Sequence, residues 1–407
     1  MNVFQTLDSQ PRRNLQILFV AGLLFWSSLA SLLPTLPLYI SDLGGTPQQI
    51  GIVMGSFAIG LLTMRPWLAQ LADLRSRKLV LLIALSAVAL APLGYLMVKS
   101  LWLLMVIRAV HGISIAAYSS GYTTLVADIA PARSRGEIIG YMSLVNPIGM
   151  ALGPALGGYL QASVGYTALF LLSAGLGILG ILFASQVSNP AADLLKNQAT
   201  DNRFWQLLGT PRIRTLALVL LLVGLAFGTL STFVPLYIKS VGVDFNVGLF
   251  YTAAAIASFM IRIPTGRASD RYGRGLFVTI SLIFYTVSML LLWLANSGTA
   301  FLIAGFVEGL GGGILIPMVA TVIADRTLPQ ERGRMFGLCM VGFDVGIAIA
   351  GPVLGAVAQQ VGYRNLFGFA AGLAALAIVV FLTQSSKDLP HSLRFALGKG
   401  RDVYALR

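Results

Sequence analysis

Four ionisable side chains stand in stretches of chain that otherwise carry almost no charge: Arg108, His111, Glu308 and Asp344. A carboxylate in such a place can take up and release a proton, and an imidazole can pass one along. A guanidinium cannot lose its proton, so it can hold an anion or bias a nearby acid. Charge set deep in an apolar segment is costly and marks function by default. Glu308 and Asp344 are therefore the candidate proton carriers, with a structural polar pair as the alternative for either. His111 lies one turn beyond Arg108 on the same helix face and reads either as a proton relay or as a hydrogen-bonded packing residue. No nucleophile and base accompany these groups, for the chain has two histidines and one cysteine, Cys339. That excludes an intramolecular disulfide and a thiolate metal cluster, and leaves an enzyme without its constellation. No G-x-x-x-x-G-K-[ST] phosphate loop is present either. The expected coupling ion is the proton, with no other cofactor and no metal.

The elements that must position these groups follow from composition. Of 407 residues 57% are hydrophobic and 11% charged, against about a quarter charged in soluble chains. A water-soluble globule is excluded, and the runs are too long and uniform for the strands of an outer-membrane barrel. Charge-free runs cover 14–41, 43–64, 79–98, 109–127, 138–192, 215–238, 245–261, 275–307, 309–324, 345–363 and 365–386. Two are of double length, interrupted by small and polar residues at 161–165 and 295–299, so the expectation is an all-α membrane protein with twelve transmembrane helices. The first run is too long for a signal-peptide core and reads as a retained span. The net charge of +13 sits in the loops, almost all of it on one side. Lys99, Lys239 and Arg364 are the exceptions, so both termini are expected in the cytoplasm, and a nucleic-acid partner is not.

The chain is also written twice. A shift of 197 residues lays Arg65 on Arg262, Asp73 on Asp270, Arg77 on Arg274, Gly112 on Gly309, Asp128 on Asp325 and Phe170 on Phe367. A shift of 198 lays Pro37-Leu-Tyr-Ile40 on Pro235-Leu-Tyr-Ile238. Two parallel six-helix bundles are expected, 1–188 and 213–386, joined by a cytoplasmic linker 189–212 and followed by a basic cytoplasmic tail 387–407. Alternating access in such duplicated bundles places a substrate site near mid-bilayer between the halves. The tail, with Leu393, Phe395 and Leu397 among its charges, reads either as lying on the anionic inner leaflet or as a solvated end. Arg65 and Arg262 read as side chains snorkelling to the inner surface within the cytoplasmic network, with substrate contact as the alternative.

On these residues the sequence resembles the major facilitator superfamily. The family's loop signature G-x-L-A-D-R-x-G-R-K is similar to Ala69-Gln-Leu-Ala-Asp73-Leu-Arg75-Ser-Arg77-Lys78 and, more closely, to Gly266-Arg-Ala-Ser-Asp270-Arg271-Tyr-Gly273-Arg274. The resemblance implies a cytoplasmic gate in which Asp73 faces the start of span 11 and Arg77 pairs with Asp128, mirrored by Asp270 and by Arg274 with Asp325. The span 4 signature R-x-x-Q-G-x-G is similar to Arg108-Ala-Val-His111-Gly112-Ile-Ser114. The run Gly149-Met-Ala-Leu-Gly153-Pro154-Ala-Leu-Gly157-Gly158 resembles the antiporter motif of span 5, although glycines four apart also serve close helix packing. Many multidrug members carry an acid in span 1; this chain offers Phe25 and Trp26 there instead.

What the resemblance implies is proton-coupled antiport of amphipathic small molecules, as in the drug:proton antiporter branch. The substrate cavity would be lined by Phe25, Trp26, Arg108, His111, Ser114, Glu308 and Asp344. A lipid, sugar or metabolite carrier of the same fold is the alternative, and a non-transporting receptor or an enzyme a remoter one. The expected setting is a bacterial inner membrane, with the chain a monomer in the bilayer.

Overall fold

The structure is a computed structural model, and it describes residues 7–131, 134–188, 210–328 and 332–406. Among these residues every regular element is a helix. The first part of the chain forms α1 (Ser9–Ser31), α2 (Leu36–Asp42), α3 (Pro47–Leu74), α4 (Arg77–Met97), α5 (Leu101–Ile129), α6 (Arg135–Met142), α7 (Val145–Val164) and α8 (Tyr166–Ser185). The rest forms α9 (Pro211–Val241), α10 (Gly248–Tyr272), α11 (Arg274–Leu294), α12 (Gly298–Arg326), α13 (Arg332–Gln384) and α14 (Leu389–Ala396). Among the described residues eleven stretches are long and apolar enough to cross a membrane. The last, Met335–Gln384, is 50 residues long and breaks at Gly362, whose φ of 79° only glycine adopts readily. Gly165, 197 residues earlier, breaks α7 from α8 with φ 96°, so the same turn is made at the same place in both copies. Most of the linker expected at 189–212 lies outside the described residues.

The helices outrun the charge-free stretches. α3 continues past Arg65 and Pro66 to Leu74, and α5 begins at Leu101, two turns before the charge-free run 109–127 that follows Arg108. Inside a bilayer a helix is the cheapest way to satisfy backbone N–H and C=O groups, so one charge does not end it. Side-chain caps start some helices: Ser76 accepts from Leu79 N–H at 3.2 Å and Ser297 from Ala300 N–H at 3.3 Å. The outward faces leave large apolar side chains uncovered, among them Trp102, Ile263 and Leu90, as helices bathed in lipid require.

The chain divides into two compact units, 1–44 with 56–199, and 45–55 with 200–407. In the first, α1 packs on α7 and α8, and α4 on α5 and α8. In the second, α13 packs on α9 and α11, and α12 on α10 and α11. Glycines set the closest approaches. A Cβ on Gly112 would overlap the carbonyl oxygen of Phe57, and one on Gly309 that of Ala254. These two crossings are repeat mates.

The tail adopts neither of the two expected arrangements in full, because it folds back on the second unit. α14 turns Ser392, Phe395 and Ala396 inward and leaves Leu389, Leu393 and Leu397 outward. Thr279 Oγ1 donates to Ala396 O at 2.8 Å, and Gly275 lies directly under the Phe395 carbonyl. Beyond it, Asp402 accepts from Arg326 Nε at 2.7 Å and Nη2 at 3.2 Å, and Leu406 N–H donates to Asp325 O at 2.7 Å. Arg326 also donates to the carbonyls of Arg212 (2.8 Å) and Ser385 (2.9 Å) and lies against the rings of Phe395 and Tyr404. A guanidinium that is 1% exposed needs such acceptors, and the tail brings the charged one. Asp388 starts α14 by accepting from His391 N–H at 2.9 Å. That bond and the His391 ring hold the exposed Asp388 carboxyl below its ordinary 3.8.

Candidate functional site

In the first unit α5 carries the polar row. Arg108, His111 and Ser114 are buried on it, and so are Tyr118 and Tyr122 further along. Arg108 Nη1 donates to His111 Nδ1 at 3.4 Å, and Tyr95 of α4 places its hydroxyl 3.1 Å from the same nitrogen. The guanidinium carbon lies 4.4 Å from the centre of the Phe57 ring, a cation–π contact. Gly112, whose missing side chain lets α5 meet α3, fixes Phe57 against this group. Phe25 of α1 stacks on Tyr118 with centroids 4.1 Å apart, and Trp26 meets both edge-on at 5.5 and 5.7 Å.

The second unit presents acids. Glu308, on α12, is 6% exposed, and no cation among the described residues pairs with it. Tyr251 of α10 and Tyr285 of α11 are near enough to feel its charge, and Tyr285 OH and Glu308 Oε1 both approach Gly312. Glu308 stands ten residues into α12, about 15 Å along its axis. Asp344, twelve residues into α13 and so about 18 Å along, is likewise 6% exposed. Nothing in the residue order pointed to Tyr95, Phe57, Tyr251 or Tyr285, since a tyrosine or phenylalanine inside an apolar run leaves no pattern that marks it.

The loop residues form two matching pairs. Arg77 ion-pairs with Asp128 and its Nη1 donates to Thr124 O at 3.3 Å; Arg274 ion-pairs with Asp325 and its Nη1 donates to Thr321 O at 3.0 Å. Arg274 also reaches Asp270 at 3.5 Å, whereas Asp73 is exposed at the end of α3. The glycine run of α7 is a packing surface on α1. A Cβ at Gly149 would meet Trp26, one at Gly153 would meet Ser27 O, and one at Gly157 would overlap Ser31 O. Pro154 and Gly158 are buried in the same helix. Gly342 and Gly346 do the same for α13 on α9.

Duplicated helical units with ionisable groups held inside them define a membrane transporter fold. The Major Facilitator Superfamily pattern matches residues 18–274 and 243–399, and the chain belongs to that family: it is a multi-pass transporter of small molecules and not an enzyme. It is 25% identical over 372 residues to the multidrug resistance protein MdtG of Serratia proteamaculans, covering 88% of this chain and 90% of that one. It is 25% identical over 381 residues to the quinolone resistance protein NorA of Staphylococcus aureus, covering 90% and 95%. Among solved structures it is similar to a mutant form of the nucleoside transporter NupG, with a TM-score of 0.80 at 16% identity over 91% of this chain and 99% of that one.

Proposed function

We propose that the chain is a twelve-span exporter of amphipathic small molecules, driven by exchange with protons and working by alternating access. Both termini face the cytoplasm of a bacterial cell, and the protein acts as a monomer in the cell membrane. The two bundles 1–188 and 213–386 are the moving parts. The observation that carries the reading is Glu308, a carboxylate shut inside the second unit with no cation beside it among the described residues. Such a group is costly to keep and serves a step in which it binds and releases a proton. The curated relatives, one titled a multidrug and the other a quinolone resistance protein, support drug-like cargo. A proton gradient suffices as the energy source, for one charge crossing the membrane gains about 2.3 kcal/mol per 100 mV. Asp344 is the second carrier or the partner that relays the proton, and Arg77–Asp128 with Arg274–Asp325 hold the cytoplasmic ends.

The test is substrate flux in proteoliposomes with an imposed pH gradient. Glu308→Gln is expected to abolish uphill export while leaving downhill exchange, and Asp344→Asn to slow it. Uphill export with unchanged pH dependence in both variants would overturn the coupling assignment.

A further inference from the structure

The polar row of α5 leaves donors without an acceptor. A guanidinium can only donate, so its bond to His111 Nδ1 keeps that nitrogen unprotonated and puts the ring proton on Nε2. Among the described residues, the buried His111 Nε2 has no hydrogen-bond partner, and the same holds for Arg108 Nε and Ser114 Oγ. Arg108 is 7% exposed and His111 and Ser114 are fully buried, yet no carboxylate among the described residues pairs with Arg108. Three orphaned groups on successive turns of one helix, beside an uncompensated cation, are unusual in a folded protein and call for an explanation. The missing component is an anion that accepts. One turn beyond Ser114, Phe25 and Tyr118 stack on each other with Trp26 across their edges, a buried aromatic cluster beside the polar row.

We infer that this row is the head-group subsite for the cargo, and that the cargo class is an amphipathic organic monoanion. Its carboxylate accepts from Arg108 Nε, His111 Nε2 and Ser114 Oγ, and its apolar ring lies toward Phe25, Trp26 and Tyr118. Arg108 supplies the charge, His111 and Ser114 the directions, and Tyr95 holds the imidazole in the tautomer that donates. This deepens the export reading and rests on it only for calling the ligand a cargo.

Titration calorimetry on the protein in nanodiscs, corrected with empty discs, tests it at one pH and without a gradient. The probes are 2-naphthoate, its neutral amide, the cationic 2-naphthylmethylammonium and acetate. The expected result is naphthoate bound at least tenfold more tightly than the other three. That preference disappears in Arg108→Gln and is partly retained in Arg108→Lys, which keeps the charge. A wild-type protein that does not prefer naphthoate over the amide, including one that binds neither, overturns the proposal, as does acetate bound as well as naphthoate. The wild-type comparison stands even if Arg108→Gln fails to fold. Because no proton gradient enters the measurement, its outcome is separate from that of the Glu308 and Asp344 flux experiment.

Discussion

The two units share a frame and differ in what the frame holds. Gly112 meets Phe57 as Gly309 meets Ala254, Arg77 reaches Thr124 O as Arg274 reaches Thr321 O, and Tyr39 OH donates to Val98 O as Tyr237 OH donates to Ala295 O. Each pair is 197 or 198 residues apart. At the same register His111 becomes Glu308, Arg108 becomes Gly305, Tyr95 becomes Leu292 and Phe57 becomes Ala254. Backbone-to-backbone crossings tolerate no side chain, so both copies keep them. Interior side chains a turn away are free to diverge, and they have diverged to opposite charge: donors and a cation in one unit, acids in the other.

The shared frame is tested hardest by its glycines. Gly112→Ala and Gly309→Ala each drive a methyl group into a carbonyl oxygen, beyond the about 1–3 kcal/mol that ordinary overpacking costs. Neither variant is expected to give monodisperse protein in size-exclusion chromatography, and an alanine accepted in one unit only would break the equivalence. Next comes a feature without a mate, since the position matching Arg326 is apolar Ile129. Arg326→Ala strands Asp402, and breaking a buried pair costs about 3–5 kcal/mol. Hydrogen exchange should rise in the second unit and not in the first; a rise in both would mean the units do not open separately. The loop pairs are half-exposed and worth roughly 0.2–1 kcal/mol each. Arg77→Gln and Arg274→Gln should therefore lower thermal stability slightly and alike, with Arg274 ahead because it also reaches Asp270. The smallest effect is at Asp388, whose depressed carboxyl contributes fully above the ordinary 3.8 and loses that contribution as pH falls through its lower folded value. Asp388→Asn should flatten the acid limb of α14 unfolding seen by exchange, and leave neutral pH nearly unchanged.

Much of this was legible from residue order, and the reasons are physical. A bilayer demands long apolar helices, so the runs announced the spans and the breaks near 165 and 295 fell where helices end. The family resemblance implied the pairs at Arg77 and Arg274, and duplication showed both members recurring at one shift. Arg65 and Arg108 were legible as charges inside spans, but the exact ends of α3 and α5 were not, since the charge-free runs 43–64 and 109–127 stop short of the helix ends. The partners Tyr95 and Phe57 lie on other helices, and nothing local ties them to Arg108. The docked tail was the largest surprise: Arg326 and Asp402 are 76 residues apart, and a lysine- and arginine-rich end looks the same whether it floats or folds.

That docking bears on how the protein can be handled at the bench. An affinity tag or fluorescent reporter fused directly after Arg407 would start two positions beyond Leu406, whose N–H is held by Asp325, and six beyond Asp402, the counter-ion of Arg326. Trimming the last dozen residues to aid crystal growth would strip that counter-ion from a guanidinium sealed inside the second unit. A long flexible spacer, or a label placed elsewhere, keeps that end of the chain seated.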